Sequence, residues 1–463
     1  MNIELQFLSG TQLTREYRKK RLSPVEVTKA ILNQIKAYNE KLNAFRIVDE
    51  EDALAQAKNS EARWVKGEPK GLVDGVPVSI KDNIWAKGWP TLFGSKTIDP
   101  NQPWDEDAPS VARLREHGAI ILGKTCIPEF AHQIVTVSPL TGVTRNPWNL
   151  QKSPGGSSGG AAAAVAMGMG PLAIGTDGGG SIRIPCHWSG VFGLKPTFGR
   201  VPHYPRGWYA SLSHVGPITR TVEDAAVMMT IISEPDPRDW YALPPDGRDY
   251  LCGLNDGVKG LRIAYSPDLG CAKVDREVAD LASKAVSAFS DLGAFVDQVD
   301  PPGLEEGKKI HGIQWCVHTA KGVRSLSPEK RSLLDPAIIQ LAERGEKIGV
   351  MEYAEALAVR EALGLRMNLF HEKYDLLVSP SFHVTAPDAG KLPEELKGPP
   401  PLTCPFNQTR QPAASIPCGI TSKGLPVGLQ IVGPLFRDDV VLRASRAYEA
   451  ARGAFPLPTL TNV

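Results

Sequence analysis

The chain is expected to fold as α/β, a single large domain with a central mixed β-sheet covered by helices on both faces. Two observations lead there. Short apolar runs punctuated by glycine alternate with helical stretches along almost the whole sequence, and none of its 463 residues form an internal repeat or a low-complexity tract. At this length the chain can bury a substantial core without disulfides or metals.

Ser23-Pro24-Val25-Glu26 opens the first strong element, with Ser23 as cap, Pro24 at the first helical position and Glu26 reaching back as a capping box. That helix is predicted to run to about Tyr38, and a second from Asp49 to Ala62. The pattern then changes to buried strands: Gly75 to Ile80, Ala119 to Gly123, Leu172 to Gly175, Leu261 to Tyr265, Asp375 to Ser379 and Val427 to Val432. A helix of small residues is expected from Ala161 to Met169, and another begins at Thr221. Residues 1–65 read as an N-terminal helical segment and 70–225 as the core that carries the motifs. The Pro/Asp/Gly-rich stretches 233–257 and 387–401 read as surface insertions or lids.

Composition narrows the function. Lys plus Arg (52) balances Asp plus Glu (51), so no long-range field draws nucleic acid or an anionic membrane. A small-molecule ligand is the expected partner. The seven cysteines (126, 186, 252, 271, 316, 404, 418) form neither CxxC pairs nor a Cys/His cluster of zinc spacing; free, buried and inert thiols are expected, with no metal and no cofactor. No secretory apolar core occurs near the start and no membrane-length apolar run anywhere, which leads to the expectation of a cytoplasmic protein.

The chemistry concentrates in Ser153–Pro185, SPGGSSGGAAAAVAMGMGPLAIGTDGGGSIRIP, where two glycine clusters each hold a serine beside backbone free of side chains. Such backbone lets several N–H groups converge on one point, as an oxyanion requires. The intervening helix and strand would bring the loops of Ser157 and Ser181 together. A serine hydroxyl needs a base to become a nucleophile. None of the nine histidines (117, 132, 187, 203, 214, 311, 318, 371, 383) sits in an evident nucleophile–base pattern, and no GxSxG elbow is present. Lys81, leaving the apolar strand Gly75 to Ile80, is the other candidate, because a desolvated lysine can be neutral near pH 7.

The strand GVPVSIKDN, the loop SPGGSSGG and the loop GTDGGGSIRIP together resemble the amidase signature family, in order and in spacing. The likeness extends through DAPSVARLREHGAIILGKT, TRNPWN, GVFGLKPTFGRVP, SHVGPITRTVEDAA and PCGITSKGLPVGLQIVG, nearly the whole chain. It implies an amidase that cleaves a carboxylic amide to acid plus amine or ammonia through an acyl-Ser181. In that scheme Ser157, following a cis peptide bond, passes the proton to Lys81. It also implies backbone N–H groups of Gly178, Gly179, Gly180 and Ser181 as an oxyanion hole, with Ser158, Asp177 and Arg183 supporting the loop. Ala131 and His132 fall where family members line the acyl pocket; Tyr204, Trp208 and Tyr209 are aromatic pocket candidates. A homodimer is the assembly that analogy suggests.

Each feature alone has a plainer reading: a strand-end lysine is usually solvated and a serine–glycine run usually a flexible loop. Three motifs of matching type, order and spacing outweigh those readings. Two departures from the family pattern, Cys126 in place of Asn and Cys186-His187-Trp188 in place of small residues, are expected to bear on substrate rather than mechanism. Two other readings stay open: the same mechanism on a carbamate, urea or aryl ester, and the glutamine-hydrolysing subunit of an aminoacyl-tRNA amidotransferase. CPFNQTRQPAAS and SPLTGVTRNPWN lean toward a stand-alone enzyme.

Overall fold

A computed structural model describes residues 4–460; the first and last three residues of the expected 1–463 extent lie outside the described residues. Helix Pro24–Leu42 begins as predicted, with the Ser23 and Glu26 capping box in place. It runs a turn past Tyr38 because its stop signal is Asn43, in left-handed backbone at φ 50°, not any residue near Tyr38. The next helix, Glu50–Lys66, likewise continues beyond Ala62 to a left-handed Gly67.

Eleven strands form one sheet in the order Phe45–Val48, Ile120–Thr125, Pro77–Lys81, Leu172–Asp177, His214–Thr219, Phe192–Lys195, Ala413–Ile420, Pro426–Val432, Leu376–Pro380, Arg262–Tyr265, Phe295–Gln298. The sheet is mixed. Ile120–Thr125, Pro77–Lys81 and Leu172–Asp177 run parallel, as do Leu376–Pro380, Arg262–Tyr265 and Phe295–Gln298, while the pairs between these groups are antiparallel. Both faces are covered. Leu376 and Val378 join the main apolar cluster whereas Leu377 between them joins a second one with Leu363, Met367 and Phe406, the alternation of a strand buried on both sides.

Two features of this frame set up the site. Register pairs Ile80 with Ile174, so Lys81 leaves its strand level with the carboxyl end of Leu172–Asp177, where open α/β sheets place their ligands. The helix of small residues, Gly159–Ala166, is buried throughout and packs with Ile182, Cys186 and Val191. Its alanine and glycine content is a clearance requirement: a Cβ on Gly160 would lie 2.5 Å from the Ala44 carbonyl and 2.6 Å from the Cys126 nitrogen.

Candidate active site

Lys81 is completely buried. Its Nζ lies 2.7 Å from Ser157 Oγ, 2.8 Å from Thr176 Oγ1 and 3.1 Å from the Thr176 carbonyl. Burial pulls the amine well below the ordinary lysine value, and the charge of Asp177 opposes that only in part. A neutral amine has two N–H donors and one lone pair. In the neutral form that a general base requires, Thr176 supplies acceptors for both N–H groups, which leaves the lone pair for the Ser157 hydroxyl. Asn83 Nδ2 donates to Thr176 Oγ1 at 3.0 Å and holds that side chain in place.

The Gly156–Ser157 peptide bond is cis. The two glycine loops meet, with the Ser158 N–H donating to the Ser181 carbonyl at 3.1 Å and Ser158 Oγ tied to both backbone groups of Thr176. Asp177 anchors the second loop. Its carboxylate accepts from the Gly180 N–H at 2.7 Å, the Ile182 N–H at 3.2 Å, Arg183 Nε at 3.0 Å, Arg183 Nη2 at 2.9 Å and Asn407 Nδ2 at 2.9 Å. Burial would raise this carboxyl, and Arg183, with Lys195 and Asn407, overrides it and holds Asp177 below the usual carboxylate range. Arg183 spends its remaining donors on Thr403 O, Gln430 Oε1 and Asn407 Oδ1.

The Gly180 N–H, expected in the oxyanion hole, donates to Asp177 instead, whereas among the described residues the N–H groups of Gly178, Gly179 and Ser181 have no hydrogen-bond partner. Gly180 serves through its backbone shape instead: φ is +138°, and a Cβ there would sit 2.4 Å from Thr403 Oγ1, the atom that donates to the Gly179 carbonyl. Gly180→Ala is therefore expected to displace the loop by a fraction of an ångström or more, lowering kcat/KM on the order of 100-fold. Steady-state kinetics beside a thermal melt checks this, and an alanine variant with full activity would show the loop to be more tolerant.

Ser181 stands between two cavities. The wider, of about 370 Å³, is lined by Ala131, His132, Ile134, Gly179, His311 and Leu341 among others; the narrower, of about 210 Å³, by Asn83, Phe93, Phe130, Ser157, Trp208 and Tyr209 among others. Ala131, Ser181 and Trp315 belong to both walls. The loop, its buried amine and the flanking cavities are the equipment of an acyl-transfer site.

Residues 26–442 match the family model described as Amidase. The chain belongs to the amidase signature family. It is an enzyme that hydrolyses carbon–nitrogen amide bonds. An acylamidase of Rhodococcus erythropolis is 37% identical over 459 residues, covering 97% of this chain and 96% of the relative. A glutamyl-tRNA(Gln) amidotransferase subunit of Gloeobacter violaceus is 35% identical, covering 95% and 96%. The crystal structure of a bacterial aryl acylamidase of the same family superposes with a TM-score of 0.89 at 30% identity, covering 96% of each chain.

Within this amidase the pocket expectations divide. Ala131, His132, Trp208 and Tyr209 line the cavities; Tyr204 does not, because its ring faces the Arg238 guanidinium, 5.2 Å away. The departures expected to touch substrate lie behind the site. Cys186, His187 and Trp188 are fully buried, Trp188 packing edge-on against Phe382, and Cys126 sits beside Asn43, so none of the four lines either cavity. The cysteines are free, but not all are buried: Cys252 is exposed, and the half-buried Cys316 lines the wider cavity.

Sequence reading missed Thr176, Asn83, Asn407, His311 and Trp315. Thr176 and Asn83 were within reach, since they adjoin Asp177 and Lys81 in the same motifs. The other three come from distant elements. Helix Leu304–Arg324 sets His311 and Trp315 one turn apart over the glycine loop, where a Cβ on Gly179 would lie 2.8 Å from His311 Nε2. Trp315 stacks on Tyr209 at 3.5 Å and on His311 at 5.3 Å. Burial lowers His311 to about 3, so the ring is neutral, and its Nδ1 accepts from Gln408 Nε2 at 3.1 Å.

Segment 387–401 supplies Leu392, Leu396, Lys397, Gly398, Pro399 and Pro400 to the wider cavity, whereas 233–257 reaches neither cavity and is pinned by Asp239 to the His203 N–H and to Arg206. Among the described residues no helix is long and apolar enough to cross a membrane, and no group of three or more His, Cys, Asp or Glu is placed to hold a metal ion.

Proposed function

We propose that this amidase cleaves its substrates through an acyl-enzyme on Ser181, with Lys81 as general base acting through Ser157. The observation that carries the reading is the 2.7 Å contact between Ser157 and a fully buried Lys81 whose other two bonds both end on Thr176. Ser181 Oγ adds to the carbonyl carbon as its proton moves to Ser157 and the Ser157 proton to Lys81. The oxyanion takes the free N–H groups beside it, those of Gly178, Gly179 and Ser181. Collapse breaks the carbon–nitrogen bond, and the proton held at Lys81 returns through Ser157 to the departing nitrogen. Water, deprotonated by the same relay, releases the carboxylic acid and restores Ser181.

The stand-alone reading draws support from the acylamidase and aryl acylamidase relatives, and the amidotransferase-subunit reading from the glutamyl-tRNA(Gln) amidotransferase relatives. Purified alone and given aliphatic amides, aryl amides, aryl carbamates and glutamine, the chain is expected to release amine from a non-glutamine amide. Rapid quench and mass spectrometry should then find the acyl group on the Ser181 peptide, with both signals gone in Ser181→Ala. Activity on glutamine alone, and only with added partners, would favour the amidotransferase reading; undiminished hydrolysis by Ser181→Ala would overturn the mechanism.

A further inference from the structure

The two cavities beside Ser181 differ in chemistry, and Ser157 stands on the wall of only the narrower one. Resting on the reading that Ser157 hands the proton to the departing nitrogen, we propose that the narrower cavity receives the amine half of the substrate and the wider one the acyl half, and that the preferred substrates are N-aryl or N-arylmethyl carboxamides carrying an N–H. As the Ser181 Oγ–carbon bond persists and the carbon–nitrogen bond breaks, the Ser157 hydroxyl must lie within hydrogen-bond reach of that nitrogen. A substrate bound the other way round would hold its nitrogen away from the proton source.

The walls fit this division. Phe93, Phe130, Trp208, Tyr209 and Trp315 surround the narrower cavity, with Phe130 and Trp208 stacked at 3.9 Å and 13°, and Tyr209 and Trp315 at 3.5 Å and 6°. About 210 Å³ lined by five aromatic side chains suits one aromatic ring better than a flexible chain. Across Ser181, Ile134, Leu341, Leu392 and Leu396 give the wider cavity aliphatic sides.

A second observation concerns the N–H. Asn83 Oδ1 is buried without a hydrogen-bond partner, and Asn83 lines the narrower cavity with its Nδ2 held by Thr176. That oxygen belongs to a side chain on the wall of the cavity assigned to the amine, and the N–H of a secondary amide supplies the donor it lacks. An ester presents only an oxygen there, which leaves Asn83 Oδ1 unpaired and disfavours the ester.

Ratios measured within one enzyme preparation test the assignment, because a partly unfolded variant cancels out of them. N-benzyl and N-butyl amides of one acid are compared in wild type and variant, so the difference in basicity of their amines cancels, and Trp208→Ala is expected to lower kcat/KM for the benzyl amide relative to the butyl amide by about tenfold, without altering the preference among acyl chains. Leu341→Ala should do the reverse. Asn83→Leu should lower the ratio of N-phenyl amide to N-methyl-N-phenyl amide hydrolysis by about tenfold, since only the first carries an N–H while both need the same proton delivered to a departing nitrogen, so an effect on Lys81 through Thr176 divides out. Trp208→Ala shifting the acyl preference instead, or a ratio of N–H to N-methyl amide hydrolysis unmoved in Asn83→Leu, would overturn the proposal. An acyl-Ser181 adduct found together with reversed ratios would sink the side assignment alone, whereas absence of that adduct would sink the chemistry on which it rests.

Discussion

Lys81→Met is expected to lower kcat/KM by on the order of 10³-fold while the protein stays folded, because methionine fills the lysine volume but offers the Ser157 proton no acceptor. Protein stability separates this from a structural defect. Burying an amine in its neutral form costs the folded state free energy, and an apolar side chain removes that cost, which offsets the bonds lost at Thr176. The melting temperature should therefore stay near that of the wild type.

The pH profile supplies the matching signature. Lys81 must be neutral to act, so wild-type kcat/KM should rise with pH through a Lys81 value lying well below the ordinary lysine value of about 10.4, and the remnant activity of Lys81→Met should lack that limb. For stability the sign is the same: between the lowered folded value and the unfolded one, the unfolded chain binds the extra proton. Stability rises with pH across that window. A wild-type profile flat from acid to alkaline pH, or a methionine variant that keeps the limb, would remove Lys81 from the role of base.

The second large effect is expected at Asp177. Asp177→Asn turns an acceptor toward Arg183 into a donor and leaves a wholly buried guanidinium without its anion, a loss of about 3–5 kcal/mol in unfolding free energy. The amide keeps a single acceptor oxygen, so one of the Gly180 and Ile182 N–H groups loses its partner, the brace on the loop carrying Ser181 weakens and activity falls as well. Chemical denaturation measures the first effect and kinetics below the melting range the second. Adding Arg183→Met should recover part of the stability, since the pair is then removed rather than broken, and the two changes should be far from additive. Because Asp177 is held below the usual carboxylate range, its contribution is present at neutral pH and is lost only as the pH falls into strong acid. An Asp177→Asn protein as stable as the wild type would show the buried pair to be dispensable.

Much of the site is legible in the sequence, for a local reason. Ser157, Asp177, Ser181 and Arg183 sit in one short stretch whose glycines announce unusual backbone, and Lys81 ends a strand too apolar to leave an amine solvated. The capping box at Ser23 and the alternation of strands and helices follow from residue types and spacing in the same way. Expectation and structure part where a neighbour distant in sequence decides. Tyr204 lies in the same stretch as Trp208 and Tyr209, yet Arg238 draws its ring away from the cavities. Gly180 resembles Gly178 and Gly179 until the Asp177 carboxylate claims its N–H.

The sequence by itself therefore determined the reaction class and the family, and it pointed to Lys81, Ser157 and Ser181 as the residues proposed to move the proton, because backbone freedom, strand burial and motif spacing are written locally. Only the tertiary structure decided what surrounds the carbonyl. His311 and Trp315 reach the glycine loop on helix Leu304–Arg324, and Asn407 reaches Asp177 from more than two hundred positions further along the chain, through packing that no local spacing encodes. The two cavities on either side of Ser181 are products of that packing, since a cavity is bounded by elements that meet only when the chain is folded.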